Sequence, residues 1–553
     1  MSAPAAFVDA AMPQLVVVPI LLPLAAGAFM LLFDESRRPW KAIVNVAATI
    51  AGLLVAVALL SWTNRHEGIA AIGVHLPGNW HVPFGIVLVA DRLSAVMLTL
   101  QAVLGLAVLT YSIARWDRPG QPFHSLLQFL SMGVNGAFLT GDLFDLFVFV
   151  EILLAASYGL ALRGVGATRV GMGLHYLVVN IISSMLFLVG VAMIYGVAGT
   201  LNMADLARRF TTLAPDARTL FDAGAAILGV AFLIKAGSWP LNFWLPGTYS
   251  AAVAPVGAAF AMLTKVGVYA LMRVGTLMSE DEAAASMLGM LMFYFGLATL
   301  VTGTIGMLAS HHLARLVSYS LVASTGILLA ALGLGLEPLT APVLFYLIVS
   351  ALTTGAFFMV TGMTDRTRSV PSAATPAEPP APQSPLYTAF GVREPDPYGT
   401  DEEIGVAIPR AVVFLGLSFV SCVLLVTGLP PLPGFIAKFA LLSTAIAAAP
   451  AAGLGAAAWT LAAVVLVSGF AGVWALTRAG IRLFWTVTAR TTPRLRVLEA
   501  APVAFLIALC ILLGTAASPV MDYLDHAATS LHEPQDYIRN VLEPVARGTP
   551  AAP

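Results

Sequence analysis

The chain has 553 residues, 59% of them hydrophobic and 10% charged, with a mean hydropathy of +0.88. Soluble domains carry about a quarter of their residues as charges, so this composition excludes a water-soluble fold. The net charge is −1 and no Lys/Arg-rich tract occurs, which leaves no basis for binding nucleic acid.

Apolar runs of roughly 20 residues, long enough to cross a bilayer as a helix, recur from end to end. Their cores fall at 14–33, 42–62, 94–114, 123–140, 143–162, 174–197, 222–245, 255–277, 285–309, 314–335, 340–363, 408–444, 455–486 and 500–518. None alternates like a barrel strand, so the expected fold is an all-α polytopic membrane protein of about 14 spans. The first segment, MSAPAAFVDAAMPQ, lacks the Lys or Arg of a secretory signal, so the first run reads as a retained helix. Cys422 and Cys510 lie inside apolar runs and read as free structural thiols.

Two segments interrupt the pattern. Residues 202–212 read as a short surface helix between spans. Residues 364–407 contain VPSAATPAEPPAPQSP and the acidic DEE at 401–403, cannot bury a core, and read as a disordered cytoplasmic loop. The chain is otherwise read as one membrane domain over 1–553, ending in an extramembrane tail at 519–553. One set of alternate loops carries about twice the Lys and Arg of the other, which predicts that both termini lie outside.

Lysine is scarce and oddly placed. Of four lysines (Lys41, Lys235, Lys265 and Lys438), the last three sit within spans, in AFLIKAGSWP, AMLTKVGVYA and GFIAKFALL. The arginines fall at or near loops and helix ends. A charge at a helix centre costs about 2.5–3.5 kcal/mol on insertion scales, so three buried lysines need a reason. Arginine keeps its proton under all ordinary conditions, whereas a lysine taken out of water can release it. This separation of residue types suits proton exchange inside the membrane. The alternative is a static role, in which each lysine pairs with a carboxylate or snorkels to an interface.

Glu151 is the carboxylate deepest in a span, on the helical face of Phe144, Val148, Ala155 and Tyr158. Asp142 and Asp145 lie at the entrance of that span and read as interfacial or cap residues. Spans 7 and 12 are expected to break. Lys235 precedes Pro240 and Pro246, and Lys438 follows Pro430, Pro431 and Pro433. Proline removes a backbone donor, and irregular backbone at membrane depth marks a protein-lined or polar cavity. His311 and His312, which open the tenth span, suit either a proton relay or an interface, as does His175. No metal-ligand spacing, phosphate loop or nucleophile–base pair is visible.

Spans 4 to 13 resemble the antiporter-like subunits shared by respiratory complex I and the Mrp (or Pha) multisubunit cation/proton antiporters, with the Mrp D type the nearest. The resemblance is carried by GDLFDLFVFVEILLAASYGL, LIKAGSWPLNFWLPGTYSAAVAPVGAAFAMLTKVGVYALMR, ARLVSYSLVASTG and GLPPLPGFIAKFALL. It implies two inverted five-helix repeats, at 123–277 and 285–486, after N-terminal helices at 1–114 and before a last helix at 500–518. It assigns Glu151, Lys235, Lys265 and Lys438 to a proton path. It also implies partner subunits of the A, B, C, E, F and G types, a bacterial inner membrane, H⁺ and a monovalent cation (Na⁺ foremost) as cargo, and neither cofactor nor metal. Such a protein is a secondary transporter component, not an enzyme.

One departure stands out. Relatives of this kind carry a histidine in the eleventh span, where this chain has Val349 within FYLIVSALTTGAFF. The link from Lys265 to Lys438 is then expected to run through water, Thr353, Thr354 or a residue of the tenth span, or else to be broken. Two rival readings remain open: a proton-pumping membrane-arm subunit of a complex I-like quinone oxidoreductase or hydrogenase, and a non-conducting scaffold.

Overall fold

Lipid offers the backbone no hydrogen-bond partners, so long apolar segments must satisfy their own amides, and they do so as helices. The structure is a computed structural model describing residues 3–34, 37–116, 122–164, 166–278, 287–369, 410–484 and 495–543. The first part comprises α1 (Ala3–Leu31), α2 (Arg38–Arg65), α3 (Arg92–Arg115), α4 (Phe123–Leu139), α5 (Leu143–Ala161), α6 (Ala167–Ala198) and the short α7 (Met203–Phe210). Next come α8 (Pro215–Ala236), α9 (Trp244–Ala251), α10 (Ala254–Phe260), α11 (Leu263–Leu277), α12 (Met287–Ala309), α13 (Leu313–Gly333) and α14 (Glu337–Ser369). After a segment outside the described residues follow α15 (Arg410–Thr427), α16 (Pro433–Ala448), α17 (Gly455–Phe484) and α18 (Val497–Thr515). The tail supplies α19 (Ala517–His532) and α20 (Gln535–Leu542). A three-residue hairpin, β1 (Gly73–His75) against β2 (Leu88–Ala90), is the departure from all-helical structure.

Among the described residues, 14 helices are long and apolar enough to cross a membrane. Their membership differs from the expected spans in two places. The fourth expected span, α4, has only 17 residues, and the twelfth is two helices, α15 and α16. Helix α4 packs between α1 and α5, so it need not match the full thickness of lipid on its own. Residues 364–369 of the expected loop belong instead to α14, which continues to Ser369. The rest of that expected loop, 370–407, lies outside the described residues.

Depth of burial sorts the helices. The α10–α11 segment, α13 and α14 are enclosed by other helices, whereas α2, α16 and α18 turn much of their surface outward. Lys265 sits on α11 and is therefore fully buried. Side-chain caps fix the helix starts nearest the site. Asp142 accepts bonds from the amides of Phe144 at 2.7 Å and Asp145 at 3.2 Å, which makes it a cap of α5. Asn202 caps α7 in the same way through Ala204 and Asp205.

At one end of the bundle a buried ion pair joins distant parts of the chain. Arg273 on α11 grips Asp91, the cap of α3, through Nη1–Oδ2 at 2.6 Å and Nη2–Oδ1 at 2.8 Å. Burial alone would push the Asp91 carboxyl up, but Arg273 and the Ser94 amide and hydroxyl outweigh it and hold it below the usual range. The pair's contribution is thus complete at neutral pH and fades only on acidification below the ordinary carboxylate range.

The tail closes over this end. Tyr537 of α20 lies against the Arg273 guanidinium, 5.4 Å from ring centre to Cζ. Tyr523 of α19 bonds Thr63 at 2.8 Å, and His532 bonds Thr340 at 2.9 Å. Burial holds the His532 imidazole below its ordinary value.

Removing one partner of a buried pair strands the other and costs about 3–5 kcal/mol. Asp91→Ala should therefore lower the thermal unfolding midpoint of the purified protein sharply. The double variant Asp91→Leu/Arg273→Met should lower it less, and equal losses would contradict the coupling.

Candidate functional site

Two helix interruptions set out the interior. Helix α8 stops at Ala236, and Gly237 takes a left-handed backbone (φ 79°) that only glycine adopts without strain. The Ser238 amide then bonds back to the Leu233 carbonyl at 2.9 Å. Helix α15 ends alike. Gly428 has φ 76°, and the Leu429 amide reaches the Leu424 carbonyl at 3.0 Å. Both are Schellman-type ends, in which amides past the helix satisfy carbonyls of its last turn.

The prolines fall where no donor is needed. Pro240 lies in the first gap and Pro246 in the opening turn of α9. Pro430 and Pro431 lie in the second gap, and Pro433 is the first residue of α16. Thr299 of α12 satisfies the first gap by accepting the Trp239 amide at 2.8 Å.

Glu151 and Lys235 meet through a hydroxyl. Ser184 of α6 donates to Glu151 Oε1, and Lys235 Nζ donates to the Ser184 oxygen at 3.4 Å. The three side chains come from α5, α6 and α8, which pack together in that order. Beside Lys235 lies a small cavity reaching Leu263 and Val266 of α11, with Tyr176 and Asn180 as its polar wall. Trp244 Nε1, Tyr249 Oη and Thr264 Oγ1 are buried near it without a protein hydrogen-bond partner among the described residues. Buried polar atoms of this kind are ordinarily satisfied by water. The ground between Lys235 and Lys265 therefore carries polar atoms of the kind that bind water.

Lys265 donates to Ser324 Oγ on α13 at 3.5 Å. Ser324 in turn lines a second cavity, which Lys438 also lines. Ser320, Tyr346, Ser350, Thr353, Thr354 and Ser468 give that cavity its hydroxyls. Tyr346 lies beside Ser324 in the same wall. Val349 also lines it, so no basic side chain bridges the two lysines here. Lys438 Nζ reaches back across the second break and donates to the carbonyls of Val426 at 2.9 Å and Thr427 at 3.0 Å.

Other expected residues lie elsewhere. His311 and His312 are exposed in the turn between α12 and α13, where Arg482 Nη1 stands 3.2 Å from His311 Nδ1. His175 is exposed on α6. Cys422 and Cys510 are buried free thiols. No group of His, Cys, Asp or Glu with metal-binding geometry occurs among the described residues. Ser184, Ser324, Tyr346 and Ser468 were not singled out by the sequence, where they are hydroxyls among many.

Residues 140–375 match the family described as "NADH:quinone oxidoreductase/Mrp antiporter, TM". A D-type component of a probable K(+)/H(+) antiporter from Rhizobium meliloti (strain 1021) is 46% identical over 97% of this chain and 99% of its own. A D-type component of a Na(+)/H(+) antiporter from Bacillus subtilis (strain 168) is 32% identical over 96% and 100%. Among solved structures, a chain of the Mrp complex from Dietzia sp. DQ12-45-1b superposes with a TM-score of 0.79 at 24% identity, covering 97% of this chain and 99% of that one. A chain of respiratory complex I from Thermus thermophilus gives 0.71 at 22%, covering 94% and 99%. These two likenesses show a shared fold.

The first match places the chain in the class of antiporter-like membrane proteins. With D-type relatives at this identity over nearly their whole length, it belongs to the D-type family of Mrp multisubunit cation/proton antiporter components. It is part of a transporter and not an enzyme.

If the Ser184 hydroxyl couples Glu151 to Lys235, Ser184→Ala should slow antiport in everted vesicles several-fold at unchanged protein level. Ser184→Thr, which keeps a hydroxyl, should stay near the wild-type rate. A Ser184→Ala rate equal to wild type would remove Ser184 from the path.

Proposed function

We propose that this chain conducts protons through the membrane for a monovalent cation/proton antiporter, with Glu151, Lys235, Lys265 and Lys438 as successive carriers. The observation that carries this reading is the cavity that Ser324, the partner of Lys265, shares with Lys438. It supplies the polar link that the absent basic residue at Val349 put in question. A proton held by one lysine passes to a hydroxyl or water and on to the next, and Glu151 stabilises the charged form of Lys235 through Ser184. Each hop breaks one N–H bond of an ammonium, whose nitrogen keeps the electron pair. It forms one O–H bond on the accepting hydroxyl or water, which releases a proton of its own to the next carrier.

The two glycine-ended, proline-flanked breaks support reading 123–277 and 285–486 as a pair of inverted repeats. Lys235 precedes its break and Lys438 follows its own. The Lys/Arg bias of the loops supports both termini on the periplasmic side of a bacterial inner membrane. Partner subunits of the A, B, C, E, F and G types complete the assembly. The sequence reading takes the exported ion as Na⁺. The Rhizobium relative's name carries K⁺ and the Bacillus relative's Na⁺, so both ions enter the test.

Everted vesicles from cells lacking other antiporters and expressing the whole operon should lose an imposed pH gradient when Na⁺ or K⁺ is added. Lys235→Ala should abolish that response, and Glu151→Ala should cut it by roughly tenfold or more, the effect of an opposite charge on a neighbouring proton carrier. Vesicles that ignore both cations yet pump with a redox substrate would sink the reading. Full activity in Lys235→Ala would mark the chain as a scaffold.

A further inference from the structure

The strongest unassigned feature is what holds Lys438. Two backbone carbonyls from the last turn of α15 accept its ammonium, at 2.9 Å from Val426 and 3.0 Å from Thr427. The end of a helix presents carbonyls carrying the negative pole of its dipole. Unwound carbonyls of this kind are the usual ligands of alkali cations at membrane depth. Thr353, Thr354 and Ser468 face the same cavity, and no carboxylate lines it among the described residues. Ser468 is itself anchored to Thr304 at 2.6 Å. An ammonium and a potassium ion are close in size, and both require a shell of oxygens.

From this arrangement we propose that the carbonyl cradle of Lys438 is also the binding site for the exported monovalent cation, which enters when the lysine gives up its proton. This rests on the proton-path reading above and adds the cation to it. The exchange balances. The Lys438 ammonium breaks one N–H bond and passes the proton to the hydroxyl-and-water path towards Ser324, and its amine keeps the electron pair. One alkali cation takes the vacated place, so the cavity holds a single positive charge before and after. With no carboxylate to neutralise a second charge, proton and cation exclude one another, and mutual exclusion is what couples antiport.

The titratable side chain facing Lys438 from α14 is Tyr346. Cys510 of α18 touches the lining through Thr353, at 3.9 Å, with Cys422 of α15 beside it. Helix α17 presents Ser468, Gly469 and Gly472. Lys438 is thus the group whose charge changes with the proton load of the cavity.

The test uses the whole complex in everted vesicles, with the KM for K⁺ and for Na⁺ measured across a range of pH. Competition predicts that the cation KM rises by about tenfold per unit of acidification while the maximal rate holds. Thr354→Val and Ser468→Ala each remove an oxygen and should raise the KM roughly fivefold and shift the K⁺/Na⁺ ratio. Ser468→Thr should restore the wild-type values. Lys438→Arg, a charge that cannot leave, should abolish cation-driven exchange. The proposal is overturned if Thr354→Val and Ser468→Ala keep wild-type KM and ion ratio while Lys235→Ala still abolishes exchange. If Lys235→Ala keeps full exchange, it is the proton path itself that fails.

Discussion

A helix that stops inside a membrane leaves carbonyl oxygens with no partner, and no water stands ready to supply one. The interior of this protein is arranged around that constraint. At the first stop a left-handed glycine folds the chain back on α8, and Thr299 takes the freed Trp239 amide. At the second, a lysine from the following helix reaches back to the carbonyls of Val426 and Thr427. Interruption and charge therefore explain each other. The break needs a donor, and the ammonium needs oxygens.

The same logic grades the three membrane lysines. Lys235 has a carboxylate one hydroxyl away, Lys438 has two carbonyls, and Lys265 has a single serine oxygen at the edge of a polar cavity. Lys265 is the most deeply buried, because α11 is enclosed on all sides. The central lysine is thus the one with the weakest local support. It depends most on the hydroxyls and water around it.

Much of this was legible in the sequence, because composition and spacing speak directly to membrane physics. Helix length, the rarity of lysine and the proline clusters announced the spans, the buried lysines and the breaks at 237–243 and 428–432. Three things were not legible. The pairing of Glu151 with Lys235 through Ser184 needs the packing of α5 against α6 and α8, which no local pattern encodes. Ser324 and Ser468 are ordinary serines in spans rich in them, and only their convergence on one cavity sets them apart. His311 and His312 suited either a relay or an interface by residue type, and only the turn at the helix start shows that both are exposed. Arg273 was read as a helix-end residue. It is one, but the α19–α20 cover buries it with Asp91.

That cover bears on how the protein is made. Residues 517–542 emerge from the ribosome after every membrane span, yet they supply Tyr523, His532 and Tyr537 to contacts with α2, α3, α11 and α14. The Arg273–Asp91 pair must therefore sit half-wrapped through most of synthesis and insertion. A chain cut short before α19 would keep the apolar helices through α18 and leave the Arg273–Asp91 pair without its cover.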